Sequence, residues 1–385
     1  MWQLVRKMKN TFYLIIILSI LLGCSTFETV ENTCNVDLDE ACNDTDIINR
    51  YIVFDNFIPV QSKDIFITLA DKIVPHKSNV YIFDKHQPKI FVYNMQSKKL
   101  SIALDRHGHA KEEYINICDF AIDNKGNILV YDNDMGKINW YNSHGKFIKS
   151  MPVALGGKSI ALAKDGRIAI DCSQLVTGTS VIIYLPNGSV STKIKQPQLY
   201  NKFVVGNDNS ITWNNGNVIF TRPYDYTIYS GINEDTLSLF QFDFGNKNFS
   251  FNKFDGISYE EFQNQLMASA GKQVMWLSNL SVYKNLYFFT TDNMNSVLLD
   301  TSRDNKTYIL SNMKSPYGVL FCSPLFVNDR GEIYTFVRCD NVDNALRPTV
   351  KFYKEQSKPL PEFLTKPLEK QYDNVSFWLL KAHVK

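Results

Sequence analysis

The segments Asp119-Phe-Ala-Ile122, Asn124-Lys-Gly-Asn127, Ile128-Leu-Val-Tyr131, Asp132-Asn-Asp-Met-Gly136, Lys137-Ile-Asn-Trp-Tyr141, Ser143-His-Gly145 and Lys146-Phe-Ile-Lys-Ser-Met151 follow one another almost without a gap. Short apolar runs alternate with turns built from Asn, Asp, Gly and Ser. Runs of four to six residues bounded by such turn chemistry read as β-strands. Four strands in about 33 residues make a compact antiparallel unit.

The unit recurs. Lys77-Ser-Asn79, Lys164-Asp-Gly-Arg167, Asn214-Asn-Gly-Asn217, Tyr283-Lys-Asn285 and Asn328-Asp-Arg-Gly331 each lead into a new apolar strand. Anchored at residues 79, 126, 166, 216, 285 and 331, the turns are spaced by 47, 40, 50, 69 and 46 residues. Six units of this length are expected of four-stranded propeller blades. A β-sandwich also has short strands, but it does not require six similarly ordered units. The expected fold is therefore all-β: a six-bladed β-propeller with one short inserted helix. The helix accounts for the longest gap. Ser258-Tyr-Glu-Glu261 is a capping box, Phe262, Leu266 and Ala270 share a face, and Gly271 ends the run. Residues 355–373, with three prolines, read as a surface excursion. Val375-Ser-Phe-Trp-Leu-Leu380 reads as a last strand. Val36–Leu38, Tyr51–Phe54 and Ile65–Leu69 are N-terminal strands available to complete the last blade and remove its open edge.

The 385 residues contain 44% hydrophobic and 21% charged residues, enough to bury a core. Lys+Arg number 41 against 39 Asp+Glu, a net charge of +2 without a basic half, which argues against nucleic acid as a partner. The N-terminus reads as a processing signal. Arg6, Lys7 and Lys9 precede an apolar run from Phe12 to Leu22, too short to span a bilayer, which ends in Leu21-Leu-Gly-Cys24-Ser25. This resembles the bacterial lipobox, whose cysteine takes a diacylglyceryl group before cleavage. The expected division is signal peptide 1–23, lipidated tether 24–33 and propeller 34–385. Cys24 is then the lipid attachment site and the membrane a partner. Ser25 gives no inner-membrane retention signal, so the expected location is the outer membrane or cell surface, with the periplasm-facing leaflet left open. Six cysteines remain: Cys34, Cys42, Cys118, Cys172, Cys322 and Cys339. Cys34–Cys42 and Cys322–Cys339 are close enough to consider as disulfides, and scattered buried thiols are the alternative.

At this point the chain resembles the six-bladed β-propeller lipoproteins of Bacteroidetes, which are similar to NHL and TolB-like propellers. The likeness covers roughly residues 34–382. It rests on Ile65–Val74 leading into Val80-Tyr-Ile-Phe-Asp84, on Glu113-Tyr114 before Asp119-Phe-Ala-Ile-Asp123, and on Arg222-Pro-Tyr224 before Asp225-Tyr-Thr-Ile-Tyr229. Where that family carries a G-x-G-P-G-E-Y run, this chain has His107-Gly-His-Ala-Lys-Glu-Glu-Tyr114 and keeps Gly108 and the Glu-Tyr pair. The resemblance implies a fold and a location rather than an activity.

Chemistry-bearing motifs are sparse. Gly156-Gly-Lys-Ser159 lacks the leading Gly of a phosphate loop, and Asp132-Asn-Asp-Met-Gly136 lacks the closing Glu of a calcium loop, so both read as turns. Asp235-Thr-Leu237 matches a short O-glycosylation pattern, but three residues read more readily as a strand start. His107 and His109 are two apart and point one way on an extended segment, with Glu112 close by as an oxygen ligand. Arg222 and Tyr224 combine an anion donor with an aromatic. These five residues form the candidate ligand site, placed at the mouth of the propeller tunnel, where an anionic or carbohydrate ligand would bind. The alternative is a solvated loop for the histidines and a between-strand loop for Arg222. Two functions follow. One is a membrane-anchored binding or scaffold module for a glycan, peptide or envelope protein. The other is a propeller lyase or hydrolase, with or without a metal, acting at the tunnel. No blade-periodic His or Asp series stands out to favour the enzyme, and no cofactor is indicated.

Overall fold

A computed structural model describes residues 32–39, 46–60, 64–172, 178–195, 209–231, 236–249, 256–292, 295–311, 325–338, 342–365, 368, 375 and 377–385. The lipobox, Cys24, Cys42, Cys322 and Cys339 lie outside the described residues. Two strands, β1 (Thr33–Asn35) and β2 (Ile52–Pro59), flank helix α1 (Asp46–Tyr51). Blade one follows: β3 (Lys72–His76), β4 (Asn79–Asp84), β5 (Lys89–Asn94) and β6 (Lys99–Leu104). Blade two is β7 (Asp119–Ile122), β8 (Ile128–Asp132), β9 (Lys137–Tyr141) and β10 (Phe147–Pro152). Blade three is β11 (Ser159–Leu162), β12 (Ile168–Asp171), β13 (Thr179–Tyr184) and β14 (Val190–Lys195). Blade four is β15 (Ile211–Asn214), β16 (Asn217–Phe220), β17 (Thr227–Gly231) and β18 (Thr236–Asp243). Helix α2 (Tyr259–Ser269) precedes blade five: β19 (Leu277–Tyr283), β20 (Leu286–Thr291), β21 (Ser296–Asp300) and β22 (Lys306–Ile309). Blade six contains β23 (Phe326–Val327) and β24 (Glu332–Arg338), then helices α3 (Val342–Glu355) and α4 (Glu362–Thr365), then β25 (Phe377–Val384).

The six sheets are antiparallel within each blade, and the first strands β3, β7, β11, β15, β19 and β23 touch in sequence around an axis. This is the six-bladed β-propeller. Its last blade is ordered β23-β24-β25-β2, so an N-terminal strand supplies the outermost position. Ile52 pairs with Val384 and Pro59 with Trp378. Of the expected N-terminal strands, Tyr51–Phe54 fills this place. The segment Ile65–Leu69 is not a strand, and Phe66 and Leu69 are exposed. Val36–Leu38 is likewise not a strand. The neighbouring β1 adds in parallel to the outer edge of blade four, with Thr33 opposite Gln241, and Val36 and Leu38 are buried beside it.

Each pair of neighbouring blades is welded by its own apolar cluster. Ile128 and Val130 of β8 pack on Tyr81 and Phe83 of blade one, while Leu129 and Tyr131 pack on Ile168 and Ile170 of blade three. Adjacent residues on a strand point to opposite faces, and both faces are interfaces, so middle strands are apolar throughout. The seam between blades six and one is filled the same way, by Phe336, Phe377 and Leu379 against Ile73, Ile82 and Phe91. Carboxylates tie the blade entries. Asp84, Asp132 and Asp292 stand at or just past the end of a second strand. They accept from the backbone N–H of Thr68, Ile115 and Met275 at 2.6, 2.8 and 2.9 Å, on the segments entering the same blades. Asp171 takes the Ser210 hydroxyl. A blade-periodic Asp series therefore exists, contrary to the sequence expectation. It serves the chain path, because an aspartate ending a buried strand can satisfy a buried N–H.

The capping box forms: the Ser258 Oγ accepts from Glu261 N and the Glu261 carboxylate accepts from Ser258 N at 3.0 Å. Helices α1, α3 and α4 add to the single helix expected. In α3 the buried Leu346 and Thr349 and the core-packed Tyr353 recur at helical spacing. Cys34 and Cys172 are buried thiols rather than disulfide halves, pushed up to about 11 and about 12 by burial. The Cys34–Cys42 pairing is thus not formed, since Cys34 points into the apolar seam between blades four and five.

Trp378 is fully buried and stacks on Phe57 of the closing strand, ring centroids 4.9 Å apart. Trp378→Ala is expected to lower unfolding free energy by about 3–5 kcal/mol in urea titrations. Tyr51, the last residue of α1 before β2, donates its hydroxyl to Asp300 at 2.7 Å. Burial acts to raise the Asp300 carboxyl, but the bonds from Ser302 and Tyr51 outweigh it and hold it below the usual carboxylate range. A depressed folded pKa means stability that is present above about pH 4 and lost as pH falls through the folded value. Tyr51→Phe should therefore flatten part of the acid limb of a stability-versus-pH curve while leaving its neutral slope unchanged.

Candidate functional site

The blades give the disc two faces. Turns joining first to second and third to fourth strands lie on one, the hairpin face. Connections between blades, and from second to third strands, lie on the other, the loop face.

His107, His109 and Glu112 sit on the loop face, in the connection from β6 to β7, and all three are exposed. What fixes this loop is the backbone around them. Lys137 Nζ donates to the Glu113 carbonyl at 2.7 Å, Asn139 Nδ2 to the same oxygen at 3.0 Å, and the Tyr141 hydroxyl to the Glu112 carbonyl at 2.9 Å. All three donors belong to β9, two strands out from the axis. Tyr114 is fully buried and donates its hydroxyl to the Pro88 carbonyl at 2.9 Å. The Glu-Tyr pair that survives from the family motif is therefore a loop anchor, with the histidines on its outer surface.

Arg222 and Tyr224 also lie on the loop face, in blade four, with blade three between them and the histidine loop. Arg222 is wholly enclosed. Its guanidinium carbon lies 3.9 Å from the Tyr229 ring centroid and 5.4 Å from that of Phe220, and Nη2 donates to the Lys195 carbonyl at 3.3 Å. Tyr224 stacks on Phe249 at 5.6 Å and meets Phe262 of α2 edge-on at 6.1 Å. It holds the inserted helix to the disc. The structure therefore does not bring the five residues together, and none of them lines the axial channel. The physical reason is depth: a second-to-third-strand loop cannot reach the axis, and the β6–β7 connection is drawn outward onto β9.

The axis holds a funnel of about 910 Å³. Its mouth lies on the hairpin face, where Lys164 of blade three pairs with Asp329 of the opposite blade six at 2.8 Å. Its narrow end is plugged by polar side chains that reach across from different blades. Asn209, entering blade four, donates from Nδ2 to the Asp71 carbonyl of the opposite blade one at 3.0 Å and to Asn279 Oδ1 of blade five at 2.9 Å. Asn279 in turn donates to the Thr290 hydroxyl at 2.8 Å. Both asparagines have left-handed backbone, φ 49° and 54°, which Asn tolerates better than most residues. Lys72 Nζ lies 2.8 Å from Asp119 Oδ1, whose other oxygen accepts from Ile160 N of blade three at 2.8 Å. Beyond this plug the space shrinks to a cavity of about 10 Å³.

The mouth is built from the short turns that define the repeat. Trp213 donates its indole N–H to the Ala161 carbonyl at 3.0 Å, which fixes the ring, and the Arg167 guanidinium lies 4.8 Å over it. Asp165 accepts from Arg167 Nε at 2.8 Å. The Arg167 backbone N–H chiefly, with its guanidinium added, holds the Asp165 carboxyl below its usual range. Tyr283, with Lys284 over its ring, and Asn214, Asn215 and Asn328 complete the rim. The walls between rim and plug are aliphatic, from residues such as Ile122, Leu162, Val282 and Val327. An aromatic-and-cation shelf over aliphatic walls suits a ligand with both polar and apolar surface. The sequence does not single out Arg167 or Trp213, although the turn that holds the one and the turn that follows the other are marked in it. The available signal was position: a residue in a first-to-second turn stands beside the axis.

Among the described residues one group has metal-like spacing, Asp71, Asp84 and His86. It adjoins the plug through Asp71, and both Asp84 oxygens already accept from Thr68 N, His86 N and Gln87 Nε2.

Residues 36–371 match the family described as Domain of unknown function (DUF4934). The chain belongs to this family. Among solved structures, it is similar to that of a Bacteroides fragilis protein designated as exported, at 15% identity and a TM-score of 0.60, covering 92% of this chain and 99% of that one. A DUF4221 member from Bacteroides vulgatus matches at 11% identity and a TM-score of 0.52, covering 87% and 98%. At these identities the likeness shows the fold alone. No curated protein sequence matches the chain. Among the described residues no helix is long and apolar enough to cross a membrane.

The Lys72–Asp119 pair is nearly enclosed, with side-chain exposures of 16% and 4%. Removing one partner strands the other charge. Lys72→Met is expected to destabilise by about 3–5 kcal/mol, and Lys72→Met with Asp119→Leu to recover much of that, in a double-mutant cycle read by urea denaturation.

Proposed function

We propose that this protein is an exported binding propeller, anchored through an acylated Cys24 at the outer membrane or cell surface, and that its ligand enters the axial funnel from the hairpin face. The observation that carries this reading is the axial funnel itself: about 910 Å³, with a mixed polar and aliphatic lining and a rim of hairpin-face turns. Sites of this size, apolar with a few placed polar groups, are where proteins hold small or segmental ligands. The ligand class is an acidic glycan or peptide segment. Trp213 offers a fixed flat face, Arg167 a planar donor fork beside it, and the rim asparagines both donors and acceptors. The polar plug at the base has its charges neutralised by pairing, so it acts as a floor. The Arg222 and histidine set does not enter this reading.

Support for the anchor is the ordered signal of basic residues, apolar run and Gly23-Cys24. Export is consistent with the designation of the Bacteroides fragilis relative.

The test is binding of acidic and neutral oligosaccharides and of acidic peptides by array, followed by calorimetry on the strongest probe. Trp213→Ala and Arg167→Ala are expected to weaken it at least tenfold while leaving the unfolding midpoint within a few degrees. If both variants bind as the parent does, or if His109→Ala abolishes binding instead, the funnel is not the site.

A further inference from the structure

The chain that enters strand β1 comes from the side of the disc that holds the funnel mouth. Strand β1 lies parallel to β18, Thr33 opposite Gln241 and Asn35 opposite Asp243. A fourth strand runs from the hairpin face toward the loop face. The chain before β1 therefore points to the hairpin face. Asn32 confirms the direction: its Oδ1 accepts from Asn305 Nδ2 at 3.5 Å, and Asn305 lies in the β21–β22 turn on that face. Cys24 is eight residues before Asn32. Fully extended, that length of chain spans at most about 28 Å. Because β1 pairs with the last three residues of β18, the tether leaves from the outer rim of blade four and is headed toward the hairpin face.

The same face carries the charge to match. The described hairpin-face turns hold nine Lys and Arg against four Asp, in a chain whose net charge is only +2. Three of the nine are in ion pairs: Lys164 with Asp329, Arg167 with Asp165 and Arg303 with Asp300. The other six, Lys77, Lys98, Lys125, Lys146, Lys284 and Arg330, are exposed, and none of them is in an ion pair among the described residues. They come from blades one, two, five and six: Lys77, Lys125, Lys284 and Arg330 stand in first-to-second turns, and Lys98 and Lys146 in third-to-fourth turns toward the rim.

We infer that the hairpin face is a membrane-docking surface: the basic collar seats on anionic lipid headgroups, and the funnel opens toward the bilayer that holds Cys24. Basic groups near an anionic leaflet each strengthen attachment by roughly fivefold, within a Debye length of the surface. The acyl anchor supplies proximity and the collar supplies orientation. A ligand then reaches the funnel from the gap between disc and membrane, and the loop face, with the histidine loop and α3, is turned outward. The inference rests on the Cys24 anchor proposed above and is independent of the ligand's identity.

The test uses the acylated full-length product in vesicles. The mass of the N-terminal peptide first establishes the diacylglyceryl group on Cys24. Its absence overturns the anchor and with it the orientation. Lysine reactivity toward a water-soluble acylating reagent is then mapped by mass spectrometry in three settings: detergent, phosphatidylcholine vesicles, and vesicles containing phosphatidylglycerol. Lys77, Lys125 and Lys284 are expected to lose reactivity at least fivefold in the phosphatidylglycerol vesicles, and to regain it at high salt. Lys111 and Lys351 on the loop face should not change. An acylated protein whose collar lysines stay reactive, or whose loop-face lysines are the protected ones, overturns the docking inference alone. The triple variant Lys77→Glu, Lys125→Glu and Lys284→Glu remains acylated, and in it Lys98 and Lys146 should become reactive again. Continued protection there would also overturn it.

Discussion

Ring closure is the constraint on which the rest of this molecule depends. Six blades enclose an axis only if all six seams are packed, and each seam is one apolar cluster shared by two blades. The closing seam is no different in chemistry from the others, but it joins residues from the two ends of the chain. The antiparallel pairing of β2 with β25 makes it possible, because it gives blade six its outer strand and places Phe57 against Trp378. Tyr51, just before that strand, reaches to Asp300 in blade five, so the closing segment is tied to that blade as well. Closure also explains why middle strands such as Ile128–Asp132 have no polar face: each side is an interface.

Closure creates the axial channel, and buried polar groups decide its shape. Inner strands converge at the narrow end, where backbone and side-chain polar groups cannot all reach solvent. Asn209 donates to acceptors of blades one and five at once, and Lys72 neutralises Asp119. Buried polar groups left without partners are expensive, so once these residues are present the plug is the low-energy arrangement. The opposite end is bounded by the short first-to-second turns, and Lys164 of blade three pairs with Asp329 of blade six across it. The funnel is thus blind at one end for reasons internal to the fold, and its open end becomes the surface on which ligand and membrane are both met.

The buried aspartates show how one residue type serves different ends in one repeat. Asp84, Asp132 and Asp292 hold the segments that enter their blades. Asp165, one turn away on the other face, is exposed and orients Arg167 beside Trp213. Depth in the disc, set by position in the strand order, separates structural from surface-facing carboxylates.

The local code of the sequence was sufficient for the repeat, the number of blades, the capped helix Tyr259–Ser269 and an N-terminal strand in the last blade. These depend on alternation, turn residues and spacing, all of which are written within a few residues of where they act. The tertiary structure alone decided which end of the channel is open, that His107 and His109 are held over β9 rather than at the axis, and that Tyr224 packs on Phe262. It also placed Thr33–Asn35 on blade four and made a helix of Val342–Glu355. Each of these turns on contacts between residues far apart in the chain, such as Asn209 with Asp71 or Lys137 with the Glu113 carbonyl. A loop's path is set by the partners that satisfy its backbone groups, and those partners are brought near only when the ring closes.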